Sequence, residues 1–496
     1  MDNRRDFLRK IGLATGGVTA LGLFPSAVYA NAETINEPFK TINIKGRVTS
    51  NKKGLPNVVV TDGQSVVRTD SKGHFEFISS NKRDFVYLSL PAGYKIDRLQ
   101  NGSADYFKRI DKKKLKNEFH FELEKLEQGD DEHHFLVLAD TQIQNEYEAE
   151  QLLTVATPDL IKTIQDLNSP NVFGIGCGDL VFDKLHLFEY YNKAVKNTNI
   201  PFFQVIGNHD MDLGGRSDEV TTTTFNNLFG PTYYSFNRGE IHYVVLDDVF
   251  FIGRDKKYIG YITEEQLAWL EKDLSFIEPG TTVVVSVHIP TNTGSPKRYP
   301  DKDHIGGVVN NRQHLYQLLA PFNAHIMSGH THFNDNMING NIYEHCHGTV
   351  CGAWWSGPIC HDGTPNGYGV YAAKGSELSW YYKSTGLDKD HQMRVYKKGE
   401  HPDFLDSYSV NVWNWDPEWK IVWYEDGVKK GMPERIVAKD PLSIQLHEGP
   451  EMPKRRKWVE PQLNDHMFFF EPSKDASTIV VEATDRFGNV YAEKLM

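Results

Sequence analysis

Short apolar runs, each closed by a turn of glycine, aspartate or asparagine, set the rhythm of this chain, and the rhythm changes twice. Over 38–128 apolar and polar positions alternate, as in Thr41-Ile42-Asn43-Ile44-Lys45-Gly46-Arg47-Val48 and His74-Phe75-Glu76-Phe77, with turns at Gly54-Leu55-Pro56 and Thr69-Asp70-Ser71-Lys72-Gly73. Period-two patterning with turns about 8–12 residues apart predicts a small β-sandwich. Over 132–345 the runs become continuously apolar and alternate with helical patterns. Strands are expected at Phe135–Leu138, Val172–Cys177, Phe202–Ile206, 282–287 and 325–328, with helices over 147–167, 184–197, 263–275 and 311–319. Thr263, with Gln266 three residues on, reads as an N-cap. Tyr233–Phe236 and Ile241–Leu246 read as a hairpin around Asn237-Arg238-Gly239. This alternation predicts an α/β layer with mixed sheets. Over 346–496 a Gly-, Trp- and Cys-rich loop leads into β-rich sequence that ends in a hairpin at 479–489.

A chain of 496 residues exceeds one ordinary core, and 39% hydrophobic with 24% charged residues describes a globular protein. The one long apolar run, Ile11 to Phe24, follows Arg4-Arg5-Asp6-Phe7-Leu8-Arg9-Lys10 and precedes small-residue sequence ending near Ala30. It is too short and glycine-rich to span a bilayer, so residues 1–30 are expected to be a cleaved signal, leaving no transmembrane helix. The paired arginines resemble a twin-arginine export signal, which implies an exported, periplasmic or cell-surface protein folded before transport. Without 1–30 the formal charge moves from −12 to −14. Such acidity, with no basic groove, argues against nucleic acid as partner. Cys177 reads as a core residue, while Cys346, Cys351 and Cys360 leave one disulfide open after export.

Five segments carry metal-ligand residues, most of them directly after an expected strand. They are Asp140-Thr141-Gln142, Gly178-Asp179, Gly207-Asn208-His209-Asp210, Val287-His288 and Gly329-His330-Thr331-His332. Two divalent ions about 3.5–4 Å apart need a bridging carboxylate and several terminal ligands. Asp179 can project from the Gly178 turn between both ions. The i and i+2 spacing of Asp140/Gln142 and His330/His332 puts each pair on one side of an extended segment. Two aspartates against two dications leave positive charge, which draws in phosphate. His209 is the candidate for proton work, with Asp210 expected to orient its ring. The glycines around Gly174-Ile175-Gly176 lack the helix start and downstream acid of a dinucleotide fingerprint.

These segments resemble the calcineurin-like metallophosphoesterases, whose signature is Asp-x-His, Gly-Asp, Gly-Asn-His-Asp/Glu, a lone His and Gly-His-x-His. The resemblance implies a central four-layer α/β–β/α sandwich, an α+β fold, and covers about 134–345; the 38–128 stretch resembles small accessory sandwiches of surface proteins. The three-part layout resembles a bacterial subgroup with N- and C-terminal β-domains. It implies that a first metal takes Asp140, Gln142, Asp179 and His332, and a second Asp179, Asn208, His288 and His330. His209 is then the transition-state and leaving-group residue, and a metal-bridging hydroxide attacks phosphorus in line. Gln142 departs from the pattern, because an amide oxygen replaces imidazole, and a weaker first metal is expected. Manganese, iron, zinc, magnesium and calcium all remain open. Trp354, Trp355 and Arg216 are candidate substrate contacts, with Arg254 a further cation; Asp183 and Asp212 are either supports of the centre or turn residues. Lys454-Arg455-Arg456-Lys457 reads as a solvated loop. The expected activity is hydrolysis of a phosphomonoester or phosphodiester on a small molecule, lipid headgroup or glycan. The competing reading is a surface glycan- or polymer-binding protein with a silent centre.

Overall fold

A computed structural model of the chain describes residues 38–253, 256–450 and 452–495. The expected signal over 1–30 and Arg254 lie outside the described residues. From Thr41 onward the chain packs as one unit. Among the described residues no helix is long and apolar enough to cross a membrane.

The alternating N-terminal sequence forms two four-stranded sheets. In the first, Thr41–Ser50 lies between His74–Ser80, antiparallel, and Lys116–Glu122, parallel. Their alternate residues Ile42, Ile44, Phe75, Phe77, Phe119 and Phe121 are buried. These side chains belong to the same core as Phe135, Phe173, Phe203, Phe236 and Tyr243, so the N-terminal sandwich shares its interior with the central layers.

Two sheets form the centre. One orders Phe202–Val205, Val172–Cys177, Glu132–Leu138, Gly367–Lys374 and Glu377–Ser384; the other orders Tyr234–Arg238, Ile241–Val245, Thr282–Ser286, Asn323–Ser328, Ile342–Cys346 and Asp335–Asn339. Rings close the space between the sheets. Phe203 stacks on Phe236 at 3.7 Å and 6°, and Phe173 meets Tyr243 edge-on at 5.2 Å and 89°. Such burial of flat apolar area is the main force holding two sheets face to face. Helices cover the outer faces. Leu160 of Thr157–Leu167 and Phe188 of Phe188–Asn197 pack against Leu136 and Leu138, while Leu267 and Leu270 of Glu264–Leu274 and Leu315 of Arg312–Leu319 pack near Val283 and Val285. The result is the expected four-layer α/β–β/α sandwich.

Local chemistry explains the helix ends. Asn145 accepts a hydrogen bond from the Glu148 amide, and Glu148 answers by accepting from the Gln144 amide. Thr263 accepts from Gln266 N at 3.4 Å, but the Gln266 side chain also bridges the backbone of Asp247. The central layer extends past the boundary expected at 345. Gly367–Lys374 runs antiparallel to Glu132–Leu138 and completes that sheet. The last part forms two further four-stranded sheets around Val410, Ile421, Phe468, Val481 and Ala483, and closes with the expected hairpin Ile479–Thr484/Val490–Leu495.

Candidate metal centre

All five ligand segments follow the C-terminal ends of parallel strands, where a sheet leaves an open crevice. The turns are tight. Asp140, Gln142, Asp179, Asp183, His330 and His332 all take left-handed backbone angles, between 37° and 68° in φ. Non-glycine residues hold such angles only where surrounding structure fixes them, at about 1–3 kcal/mol each. Gly178 must be glycine: its φ is +80°, and a Cβ there would lie 2.3 Å from His288 Nδ1. At Gly329 a Cβ would come within 2.5 Å of Asp140 Oδ2.

The folded chain brings the predicted ligands together in two groups. Asp179, His288 and His330 present donor atoms within 4.8 Å of one another. His288 Nε2 lies 3.3 Å from Asp179 Oδ1, 3.1 Å from Asn208 Oδ1 and 3.2 Å from His330 Nδ1. The opposite ring nitrogen of His288 donates to the Cys177 carbonyl, and His330 bonds the backbone of Gly306. Each imidazole is thus turned to aim its other nitrogen inward, as metal-binding histidines are.

The second group is Asp140, Gln142 and His332. His332 Nδ1 donates to the Gly352 carbonyl at 2.6 Å, which leaves Nε2 3.5 Å from Asp140 Oδ1. Asp140 Oδ1, Gln142 Oε1 and His332 Nε2 are all buried without a hydrogen-bond partner. Buried acceptors left unmatched cost roughly 1–3 kcal/mol each, and a shared cation would satisfy all three. The residues present therefore fit a pair of divalent ions. Gln142 differs from expectation in one respect: its amide nitrogen donates to Asp179 Oδ2 at 2.6 Å, so it also ties the two groups together.

Electrostatics agree with a site built around positive charge. Burial raises the Asp140 carboxyl to about 8, and the neighbouring Asp179 charge adds to the shift. Burial opposes protonation of His288, yet Asp179 and Asp140 raise it to about 10. A buried carboxylate pair gathers protons where no other cation balances it.

His209 lies at the edge of this cluster, its side chain 24% exposed, with Nε2 4.0 Å from Asp179 Oδ2. Its orientation corrects the sequence expectation. Asp183, not Asp210, accepts from His209 Nδ1 at 2.7 Å, and Lys256 Nζ holds the other Asp183 oxygen at 2.5 Å. Asp210 is fully buried and accepts the backbone amides of Leu180, Val181 and Gly207, so its carboxylate shapes the turns and cannot reach the ring. Burial opposes a charged His209, but Asp179 and the Asp183 bond lift its pKa above the ordinary imidazole value. Asp248 accepts the amides of His288 and Ile289 and fixes that segment.

The remaining candidates separate. Trp355 is buried and donates Nε1–H to the Thr141 carbonyl, a support for the first ligand turn. Trp354 stacks on His332 at 3.9 Å and 19°. Arg216 is exposed, with no polar bond to the cluster among the described residues. Asp212 caps the helix Thr223–Phe229 through Thr224. Cys346, Cys351 and Cys360 are buried free thiols, so the open disulfide is not formed. The basic loop is not simply solvated: Arg456 bonds Glu148 at 2.6 Å and Gln144 at 2.9 Å, with 13% of its side chain exposed.

Three family models tile the sequence. "N terminal of Calcineurin-like phosphoesterase" matches 42–126, "Calcineurin-like phosphoesterase" 133–334 and "C terminal of Calcineurin-like phosphoesterase" 344–491. The chain belongs to the calcineurin-like phosphoesterases. It has the residues for two divalent ions. It is similar to Purple acid phosphatase 15 of Arabidopsis thaliana, 24% identical over 216 residues, 38% of each protein. It also resembles Serine/threonine-protein phosphatase CPPED1 of Danio rerio, 29% identical over 189 residues, 36% of this chain and 59% of that protein. The chain thus spans less than two thirds of these relatives' length. Among solved structures it is similar to purple acid phosphatase PPD1 from yellow lupin, with 14% identity and TM-score 0.37 over 66% of this chain and 67% of that one.

Proposed function

We propose that this calcineurin-like phosphoesterase is an exported hydrolase of phosphomonoesters or phosphodiesters. The reading rests above all on the convergence of unmatched acceptors at Asp140, Gln142 and His332 beside the Asp179–His288–His330 group. Divalent cations held there would supply Lewis acidity and positive charge for a phosphoryl group. The protein's own part is orientation and proton supply. His209 keeps one proton on Nδ1 against Asp183 and turns Nε2 toward the cluster. From there an imidazolium donates to the departing oxygen and stabilises the negative charge that grows on phosphorus. Lys256 restrains Asp183 and so the ring. Export by residues 1–30 fits a centre filled before transport, and the substrate is a phosphorylated small molecule, lipid headgroup or glycan.

The test is hydrolysis by metal-stripped protein reloaded with manganese, offered p-nitrophenyl phosphate and bis-p-nitrophenyl phosphate. Turnover of one ester above the other assigns mono- or diesterase. No turnover with any divalent metal, in protein that remains folded, contradicts the hydrolase and favours the binding reading.

A further inference from the structure

We propose that the loop around Arg456 and Trp458 completes the substrate site, and that Trp458 is the surface on which a ring in the leaving group lies. The inference rests on the hydrolase reading for the phosphate position only. Trp354 covers His332 with one face, and Trp458 tilts against Trp354 at 4.6 Å and 57°. Two ring contacts therefore lead from a candidate ligand to an indole that is 55% exposed. An indole this open, two ring contacts from a candidate metal ligand, offers a flat apolar face to a ring that extends from the phosphate position.

The loop is held, not draped. Arg456 adopts a left-handed φ of 55°, bonds Gln144 and Glu148 at the start of the helix after the first ligand turn, and lies 5.4 Å from the Phe182 ring. Phe182 in turn packs 4.0 Å from the His209 ring. On the far side of Trp458, Val459 is buried and the Gln462 amide donates to the His361 carbonyl. Anchors on both sides fix the indole before substrate arrives, which lowers the ordering cost of binding. Its chemistry suits a flat, weakly polar ring face, either an aromatic ring or the C–H face of a sugar. Arg456, already paired with Glu148, is a positioning residue.

Calorimetry on the metal-loaded protein tests this with three non-hydrolysable probes: phenylphosphonate, a glucosyl C-phosphonate and methylphosphonate. At least one ring-bearing probe is expected to bind about five- to tenfold more tightly than methylphosphonate, the scale of one ring stack. Trp458→Ala should erase that preference and leave metal content and methylphosphonate binding unchanged. Preference for phenyl or glucosyl identifies the ring as aromatic or carbohydrate. Equal binding of all three, binding of none, or a preference that survives Trp458→Ala overturns the inference. Turnover of p-nitrophenyl phosphate by the same preparation separates the two claims. Activity without ring preference contradicts only the ring site; Trp458-dependent preference without activity contradicts only the hydrolase.

Discussion

The two halves of the centre are built differently. Around His288, the four atoms expected to hold a cation lie within 3.3 Å of its Nε2 or are Nε2 itself, and backbone carbonyls turn the imidazoles inward. Around Asp140, three buried acceptors face one another with no donor among them, and one belongs to an amide whose nitrogen is already engaged by Asp179. The first arrangement is a preorganised nest of two imidazoles and two oxygens. The second depends more on its cation for satisfaction and offers one imidazole fewer. Ligand softness and number then separate the affinities of the two sites, although a single aspartate joins them.

The largest expected effect comes from breaking the stronger half. His288→Ala should cost more in cation affinity than the roughly 10–100-fold typical of an outer partner, and elemental analysis after dialysis would show the loss. Retention of both ions would remove the distinction between the halves. Next, His209→Ala should lower turnover at least about a hundredfold with both ions retained, because it deletes a proton donor and no ligand. An unchanged rate would end its assigned role.

The frame behind His332 provides a stability test. Arg298 bonds both oxygens of Asp335 at 2.9 and 2.8 Å. Burial opposes the Asp335 charge, but Arg298 holds its pKa down to about 2, below the ordinary 3.8. The bonded carboxylate therefore stabilises the fold above about pH 4, by about 2 kcal/mol, and that share is lost as pH falls toward 2. Denaturant unfolding at pH 5 and pH 2.5 should show a smaller pH-dependent change in Asp335→Asn than in the parent. Of similar size is the contrast between Asp183→Asn and Asp210→Asn. The first should reduce turnover about tenfold with little change in stability, since it frees the His209 ring. The second should cost about 1–3 kcal/mol of stability, since it disturbs three buried amides.

Much of this was legible in the residues. Strand-end placement of Asp140, Asp179, Asn208, His288 and His330/His332 followed from apolar runs that end just before them, with glycine turns at Gly178, Gly207 and Gly329, because the side chains and the turns obey local rules. The helix over 263–275 carried its cap, Thr263, in sequence. What escaped was non-local. Gly367–Lys374 reads like any other strand, and only its pairing with Glu132–Leu138 makes it part of the central sheet. Asp210 adjoins His209 in sequence while Asp183 stands 26 residues from it, yet the left-handed turns at Asp179 and Asp183 bring Asp183 to the ring. Arg456 meets Glu148 across more than half the chain, so no spacing rule could pair them. The strands Asp335–Asn339 and Ile342–Cys346 were legible in principle, since the two-residue loop Gly340-Asn341 is a hairpin signal.

The inequality of the two halves is tested most directly by calorimetric titration of manganese into metal-stripped protein, parent against Gln142→His. The parent should show two binding events of different affinity. An added imidazole should tighten the weaker one by about tenfold and leave the stronger unmoved. A single class of sites in the parent, or a weaker event that Gln142→His does not shift, would contradict the account.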